Sequence, residues 1–471
     1  MSTDAFKGRL LTINEVLSCI PPSANYPLDT STSINSTKVY GAWPTKIARW
    51  NEFLTEVKRY NFFEQEIFKR PQFFHGVQRV VETNVYTAME VNIFGVLNEV
   101  MKKYMFAKQK DSDFSRNDPN IGPFVPDYTC RLKINDTFTK KILALEIKRD
   151  ILLRDLVGLT DEKLERQDFS SHSHDIIRQI YNYMSSLQLQ YGILSSYDIH
   201  FFLYRPKHTH TELHISHPLQ RVSINPPVLK SYAYLAQLAE EDSTSPHHNI
   251  MNSSRQNLAL QQSQQNFGGG QIPRSLNNSR YNLRSLSRTS DNRGSRENQD
   301  PMEHVFDCSE FKFERSLGYG QTGGTYRCEF HGQIIALKAL DLYKNRKFFY
   351  KMQNEIEIYN LLSKVQGLYI PKLVCYGYYG GGMGYVMGMT IVGTILNLHK
   401  IEEWQKDMAL KALKIIHSHN VLHNDIRKEN ILVNEKGNVY FIDFGKSIVT
   451  DKKELFLQEE SELSRLFDCY M

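Results

Sequence analysis

The stretch that decides the fold is "VLHNDIRKENILVNEKGNVYFIDFGKSIV", residues 421–449. In it Asp425 precedes Asn430 by five positions, an apolar run "VYFI" follows, and Asp443-Phe444-Gly445 closes the pattern. Phosphoryl transfer from Mg·ATP needs one aspartate to orient a hydroxyl and accept its proton. It also needs two further oxygen ligands to hold metal ions. Asp425 fits the first role, and Asn430 and Asp443 the second. Arg427, two residues past Asp425, is placed to steady the transferred phosphate.

The residues ahead of this stretch extend the pattern. "FKFERSLGYGQTGGTYRCEFHGQIIALKAL" (311–340) alternates in the manner of antiparallel strands. Gly318, Gly320 and Gly323 fall between two strand-like runs, where backbone amides can approach nucleotide phosphates. Lys338 ends the apolar run "IIALK", and Glu355 lies 17 residues on, in a predicted helix. It could hold the lysine against the α- and β-phosphates. Singly, each of these residues also reads as a glycine hairpin or a surface charge. In this order they resemble the eukaryotic protein kinase-like superfamily over about residues 311–450. That resemblance implies a two-lobed fold with ATP between the lobes. Met387 would lie near the back of the adenine pocket, and Gly388 to Thr390, Met389 among them, would supply backbone hydrogen bonds. Two departures stand out. Asn424 takes the place of the arginine that receives an activation-loop phosphate in many protein kinases. After Gly445 a single predicted helix, "KKELFLQEESELSRLFDCYM", replaces the usual Ala-Pro-Glu motif and large helical C-lobe, as in RIO-type and other small atypical kinases. The expectation is a complete ATP site with a minimal C-lobe.

The first half reads differently. "FVPDYTC" (124–130) brings Asp127, and "LALEIKRD" (143–150) ends an apolar strand in Glu146-Ile147-Lys148. Residues two apart on a strand face one side, so Glu146 and Lys148 project together, and Asp127 joins them if the preceding strand pairs. Two carboxylates and a lysine make a Mg2+ or Mn2+ site beside a cation that can activate water. A surface ion pair on an edge strand is the plain alternative. Gln179-x-x-x-Tyr183 follows on a predicted helix, and Glu90 is the chosen acid of the helix before the strands, with Glu82 and Glu99 as rivals. The ensemble resembles the PD-(D/E)xK nuclease fold, either active or degenerate and able only to bind.

Between the halves, residues 241–305 are rich in Ser, Asn, Gln, Gly and Arg and poor in large aliphatics. Such a segment buries too little apolar surface to offset its ordering entropy, so a disordered linker is expected. The fold class is thus α+β multidomain. Residues 1–78 form a helical extension, 79–240 a restriction-endonuclease-like α/β domain, 241–305 the linker and 306–471 a two-lobed kinase-like domain. "KIARWNEFLTEVKRYNFFEQEIF" (46–68) carries Trp50, Phe53, Leu54 and Val57 at helical spacing. A second helix is expected over "NVYTAMEVNIFGVLNEVMKKYMF" (84–106), and with the strand-like runs and the helix after it this gives an αββαβ order.

This domain order resembles Crinkler-type effector proteins, particularly those abundant in arbuscular mycorrhizal fungi. The resemblance implies a phosphotransferase module with ATP and Mg2+, acting on a protein substrate or on itself, tethered to a nuclease-like module acting on DNA. A catalytically weak ATP switch over a nucleic-acid-binding pseudo-nuclease is the competing reading. The Leu-x-Leu-x-Lys-like translocation motif usual at the N-terminus of such effectors is not evident in residues 1–75, so host-cell delivery finds no support. A net charge of +5 does not indicate a general basic coat, though it leaves room for a local patch. Six scattered cysteines form no CxxC pair, residues 1–22 are not expected to act as a signal peptide, and no 18-residue apolar run is present. A cytoplasmic or nuclear protein without a membrane partner is expected.

Overall fold

In the computed structural model of the chain, residues 9–23, 41–63, 66–75, 82–108, 123–135, 139–248, 303–320, 323–397 and 401–468 are described. The first module is built on a sheet whose core is a three-strand meander: β2 (Tyr104–Lys108), β3 (Tyr128–Lys133) and β4 (Thr139–Ile147) pair antiparallel in turn. A helix precedes the meander, running from α2 (Glu82–Met89) through a π-turn (Glu90–Phe94) into α3 (Gly95–Val100). Val85, Ala88, Met89, Ile93, Val96, Leu97 and Val100 lie buried along it at helical spacing. Helix α4 (Ser171–Ser186) then crosses to β5 (Tyr191–Ser195), which pairs parallel with β4. Lying between β3 and β5, β4 is buried on both faces, hence its near-continuous apolar run.

The sheet continues through β6 (Ile199–Tyr204) and β7 (Glu212–Ile215) to an edge strand from far upstream, β1 (Lys46–Arg49), parallel to β7. Here the sequence expectation is corrected in three places. Residues 1–78 are not a separate helical extension: β1 joins the sheet, and helix α1 (Phe53–Arg59) begins only after it and puts Phe53 and Val57 into the core. Residues 104–108 are a strand rather than the end of a helix, so the order is αβββαβ. The helix stops at Met101, and Tyr104 and Phe106 bury at period two opposite Leu132 and Cys130. Ordered structure also continues past residue 240. Helix α5 (Val228–Glu241) is followed by a tail to His248, pinned by the buried guanidinium of Arg205, which donates to the carbonyls of Ser245 and Pro246. Of the expected linker, residues 249–302 lie outside the described residues.

The second module opens with β8 (Glu303–Phe306), which also belonged to the expected linker but pairs parallel with β12 (Leu373–Tyr379). With β9 (Phe311–Gly320), β10 (Gly323–Phe330), β11 (Gln333–Asp341) and β13 (Gly384–Thr390) they make a six-stranded sheet in the order β8-β12-β13-β11-β10-β9. Helix α6 (Phe349–Leu361) packs beside it. The second lobe holds β14 (Thr394–Ile395), helix α7 (Glu403–Ser418), the pair β15 (Val421–Leu422) and β18 (Ile448–Val449), the hairpin β16 (Ile431–Val433) and β17 (Val439–Phe441), and helix α8 (Lys453–Asp468).

The two modules share a core. Phe124 and Tyr183 of the first are fully buried in one cluster with Phe306, Phe311, Tyr326, Tyr379 and Met383 of the second. Phe124 leaves no room for a side chain at Gly384, where a Cβ would come within 2.1 Å of its ring.

Candidate functional site

The cleft between the lobes of the second module gathers the predicted groups. Register places Lys338 on β11 opposite Met387 on β13. Its Nζ reaches Glu355 Oε2 of α6 at 2.6 Å and Asp443 Oδ1 at 2.8 Å. Burial alone would lower the lysine, but the two carboxylates outweigh it and hold its pKa above the usual value. Burial raises Glu355, whereas at Asp443 the Lys338 charge overcomes burial and keeps the carboxyl below its usual range. Arg427 Nη2 lies 3.4 Å from both Asp425 Oδ2 and Asp443 Oδ2. Asn430 Nδ2 donates to the carbonyl oxygen of Asp425 at 2.9 Å and to its carboxylate at 3.1 Å. Asp425, Arg427 and Asp443 line a cavity of about 380 Å3 together with Lys351, Lys446 and Gly320.

The glycines divide by role. Gly323, at φ +132°, lies so near β11 that a Cβ would meet the carbonyl oxygen of Ala339 at 2.0 Å, so only glycine fits. Gly318 and Gly320 face open space. Met387 is fully buried, and Met389, one position beyond Gly388, is nearly so.

The supporting roles of three residues at this site escaped the sequence reading. Phe444 is buried between the rings of His423, 4.8 Å away, and Tyr359, 5.5 Å away, tying Asp443 to α6 through aromatic packing. Glu459 on α8 accepts the backbone amides of His423 and Asn424, the first at 3.0 Å, and pairs with His417 of α7 at 2.8 Å. The helix that looked like a remnant thus clamps the loop that carries Asp425. Lys446 also went unnoticed, though its Nζ bonds Asp425 Oδ1 at 2.9 Å. Asn424 adopts a left-handed φ of +61°, which asparagine tolerates better than most residues.

A family model described as a protein kinase domain matches residues 311–463. That stretch is a protein kinase domain. Among curated relatives, the chain is 28% identical over 153 residues to a probable cAMP-dependent protein kinase catalytic subunit of Encephalitozoon cuniculi, covering 30% of this chain and 47% of that protein. It is 29% identical over 157 residues to the serine/threonine-protein kinase AGC1-7 of Arabidopsis thaliana, with 30% and 27% covered. With the serine/threonine-protein kinase TAO1-B of Xenopus laevis it shares 26% over 159 residues, covering 30% and 15%. The chain spans less than half the length of each of these relatives.

Outside the kinase domain, the first module holds a second cluster of lysines and carboxylates. Glu146, at the end of central strand β4, is buried, so the alternative of a surface pair on an edge strand falls. Its Oε1 accepts from Lys148 Nζ and from Gln179 Nε2, both at 2.8 Å, and its Oε2 accepts the Asp127 amide at 3.2 Å. Asp127 Oδ2 accepts the Ile147 amide at 3.0 Å. Burial, with the Asp127 charge beside it, pushes Glu146 up to about 7. At Asp127 the ammonium groups of Lys344 and Lys148 outweigh burial and hold the carboxyl below its usual range. Gln179 and Tyr183, one helical turn apart, hydrogen bond to each other at 3.2 Å. Glu90 is engaged elsewhere, accepting from the Tyr128 hydroxyl at 2.6 Å. Among the described residues no group of three His, Cys, Asp or Glu side chains is placed to hold a metal ion, so the expected three-acid set is not assembled. Among the described residues, too, no helix is long and apolar enough to cross a membrane.

Proposed function

We propose that the kinase domain transfers the γ-phosphoryl group of Mg·ATP to a serine or threonine hydroxyl, on a protein substrate or on this chain. The observation that carries this reading is Lys338 bridging Glu355 and Asp443 beside a cleft that also presents Asp425. The serine/threonine class follows the names of the relatives. Asp425, steadied by Asn430 and Lys446, orients the acceptor hydroxyl and takes its proton. Lys338, held by Glu355, binds the α- and β-phosphates, and Arg427 steadies the phosphate in transfer. Asp443 and Asn430 offer the hard oxygen donors that suit Mg2+, whose charge, when bound, neutralises the phosphate oxygens. The test is transfer from labelled Mg·ATP by the purified chain with no added substrate, beside Asp443→Ala. Label on the wild type alone is expected. ATP binding without transfer would overturn this reading in favour of a nucleotide switch.

For the first module we propose a PD-(D/E)xK nuclease-like unit acting on DNA, which would make the chain Crinkler-like, an effector working in the nucleus or cytoplasm. What supports it is the helix, three-strand meander, helix and parallel strand, with Asp127, Glu146 and Lys148 converging at the end of β4 and Gln179 reaching them from α4. Lys148→Ala is expected to abolish Mg2+-dependent DNA cleavage without loss of fold. Equal cleavage by both proteins would sink the assignment.

A further inference from the structure

Lys344 stands six residues after Lys338, just beyond the end of β11, and its side chain leaves the kinase domain for the first module. Nζ lies 2.9 Å from Asp127 Oδ1 and 5.2 Å from the centre of the Tyr183 ring. The segment bearing it is fixed from both sides. Tyr183 donates its hydroxyl to Asp341 Oδ2 at 2.9 Å, and the Tyr343 ring packs edge-on against Tyr183. Asp341 in turn accepts the amides of Tyr343 and Lys344, which shapes the turn.

With Lys344 in place, every carboxylate oxygen of Asp127 and Glu146 already accepts a hydrogen bond. A divalent cation must come within about 2.0–2.6 Å of such oxygens, and the ammonium stands on that approach to Asp127. Charge gives the same answer. With all three carboxylates ionised, Asp127, Glu146 and Asp341 face Lys148 and Lys344, so adding a dication while Lys344 stays would leave an excess positive charge in a buried site, whereas exchanging one for the other would leave none. We propose that Lys344 is an internal counter-ion standing in the cation position of the Asp127/Glu146 site, so that the docked kinase domain closes that site and a divalent metal must expel Lys344 to enter. The proposal rests on reading Asp127, Glu146 and Lys148 as a metal-dependent site.

The test uses the full-length chain without nucleotide and titrates Mn2+, following the free ion by electron paramagnetic resonance. Asp127→Asn in each background identifies ions bound at this site. Lys344→Ala is expected to bind Mn2+ at least tenfold more tightly than the wild type, with the gain lost on adding Asp127→Asn. Equal, Asp127-dependent binding in wild type and Lys344→Ala overturns the lock and leaves the metal site standing. No Asp127-dependent binding in either overturns both. A second measurement needs no variant: Mn2+ added to the wild type is expected to speed hydrogen exchange across residues 341–347, and exchange unchanged at saturating Mn2+ overturns the lock.

Discussion

Lys338 and Lys344 leave one stretch of chain for two carboxylate clusters with opposite fates. The partners of Lys338, Glu355 and Asp443, belong to the kinase domain, and their cluster borders an open cleft. Asp127, the partner of Lys344, belongs to another module, and Glu146 behind it is sealed from solvent. The chemistry of the pairs is alike, for in both clusters lysine charge holds an aspartate below its usual range against burial. Access separates them. A lysine supplied from within a domain leaves the cleft free for a nucleotide, while one supplied across a module boundary fills the position another cation would take.

The comparison breaks first if the open cluster is not catalytic. Asp425→Asn is expected to slow phosphate transfer by about a thousandfold while ATP still binds, as read by transfer rate and equilibrium binding side by side. Rates that match the wild type would remove the chemical meaning of the cleft. The next largest effect tests whether the modules are one unit. Phe124→Ala should cost about 3–5 kcal/mol in urea unfolding and split a common transition in two. An unchanged single transition would show that the shared core is not holding them.

A smaller change tests how the open cluster is kept in shape. At Glu459 the hydrogen bonds from His417 and the two loop amides outweigh burial and hold the carboxyl below its ordinary value of 4.5. The folded state therefore keeps this charge to lower pH than the unfolded chain does. Its contribution is complete above pH 4.5 and is lost as pH falls through the depressed folded value. Glu459→Gln should cost about 2 kcal/mol at pH 7 and less as the pH is lowered below 4.5, measured by denaturation across that range. An equal cost throughout the range would assign the effect to shape rather than charge. Least of all, Tyr183→Phe removes the bond to Asp341 and the one the hydroxyl accepts from Gln179, and should cost about 1–2 kcal/mol. Hydrogen exchange should then quicken around Asp341–Lys344 and not around Lys338.

Much of the kinase domain was legible because phosphoryl transfer fixes residue types at fixed spacing. Lys338, Glu355, Asp425, Asn430 and Asp443 meet where that spacing implied. Asp127, Glu146 and Lys148 also converge, since strand alternation puts Glu146 and Lys148 on one side. What escaped depends on contacts between distant segments. Strand β1 has a helix-like pattern next to it and declares itself only when β7 lies alongside. Glu459 looks like any surface glutamate until α8 swings it under the loop amides. Lys344 carries no local mark, because its partner lies 217 residues earlier. Glu90 had the right spacing on its helix, but the Tyr128 hydroxyl claims it.

The shared core around Phe124 bears on how the protein can be handled. A fragment cut at the borders of the kinase match, residues 311–463, would omit β8 and Phe306 and strip Phe124 from Tyr379, Met383 and Gly384. It would also divide α8 before Phe467, which packs in the second-lobe core. Bared aromatic surface of that kind invites self-association. The smallest soluble unit of this chain is then expected to include the first module, and an insoluble isolated kinase fragment would say nothing against the proposed activity.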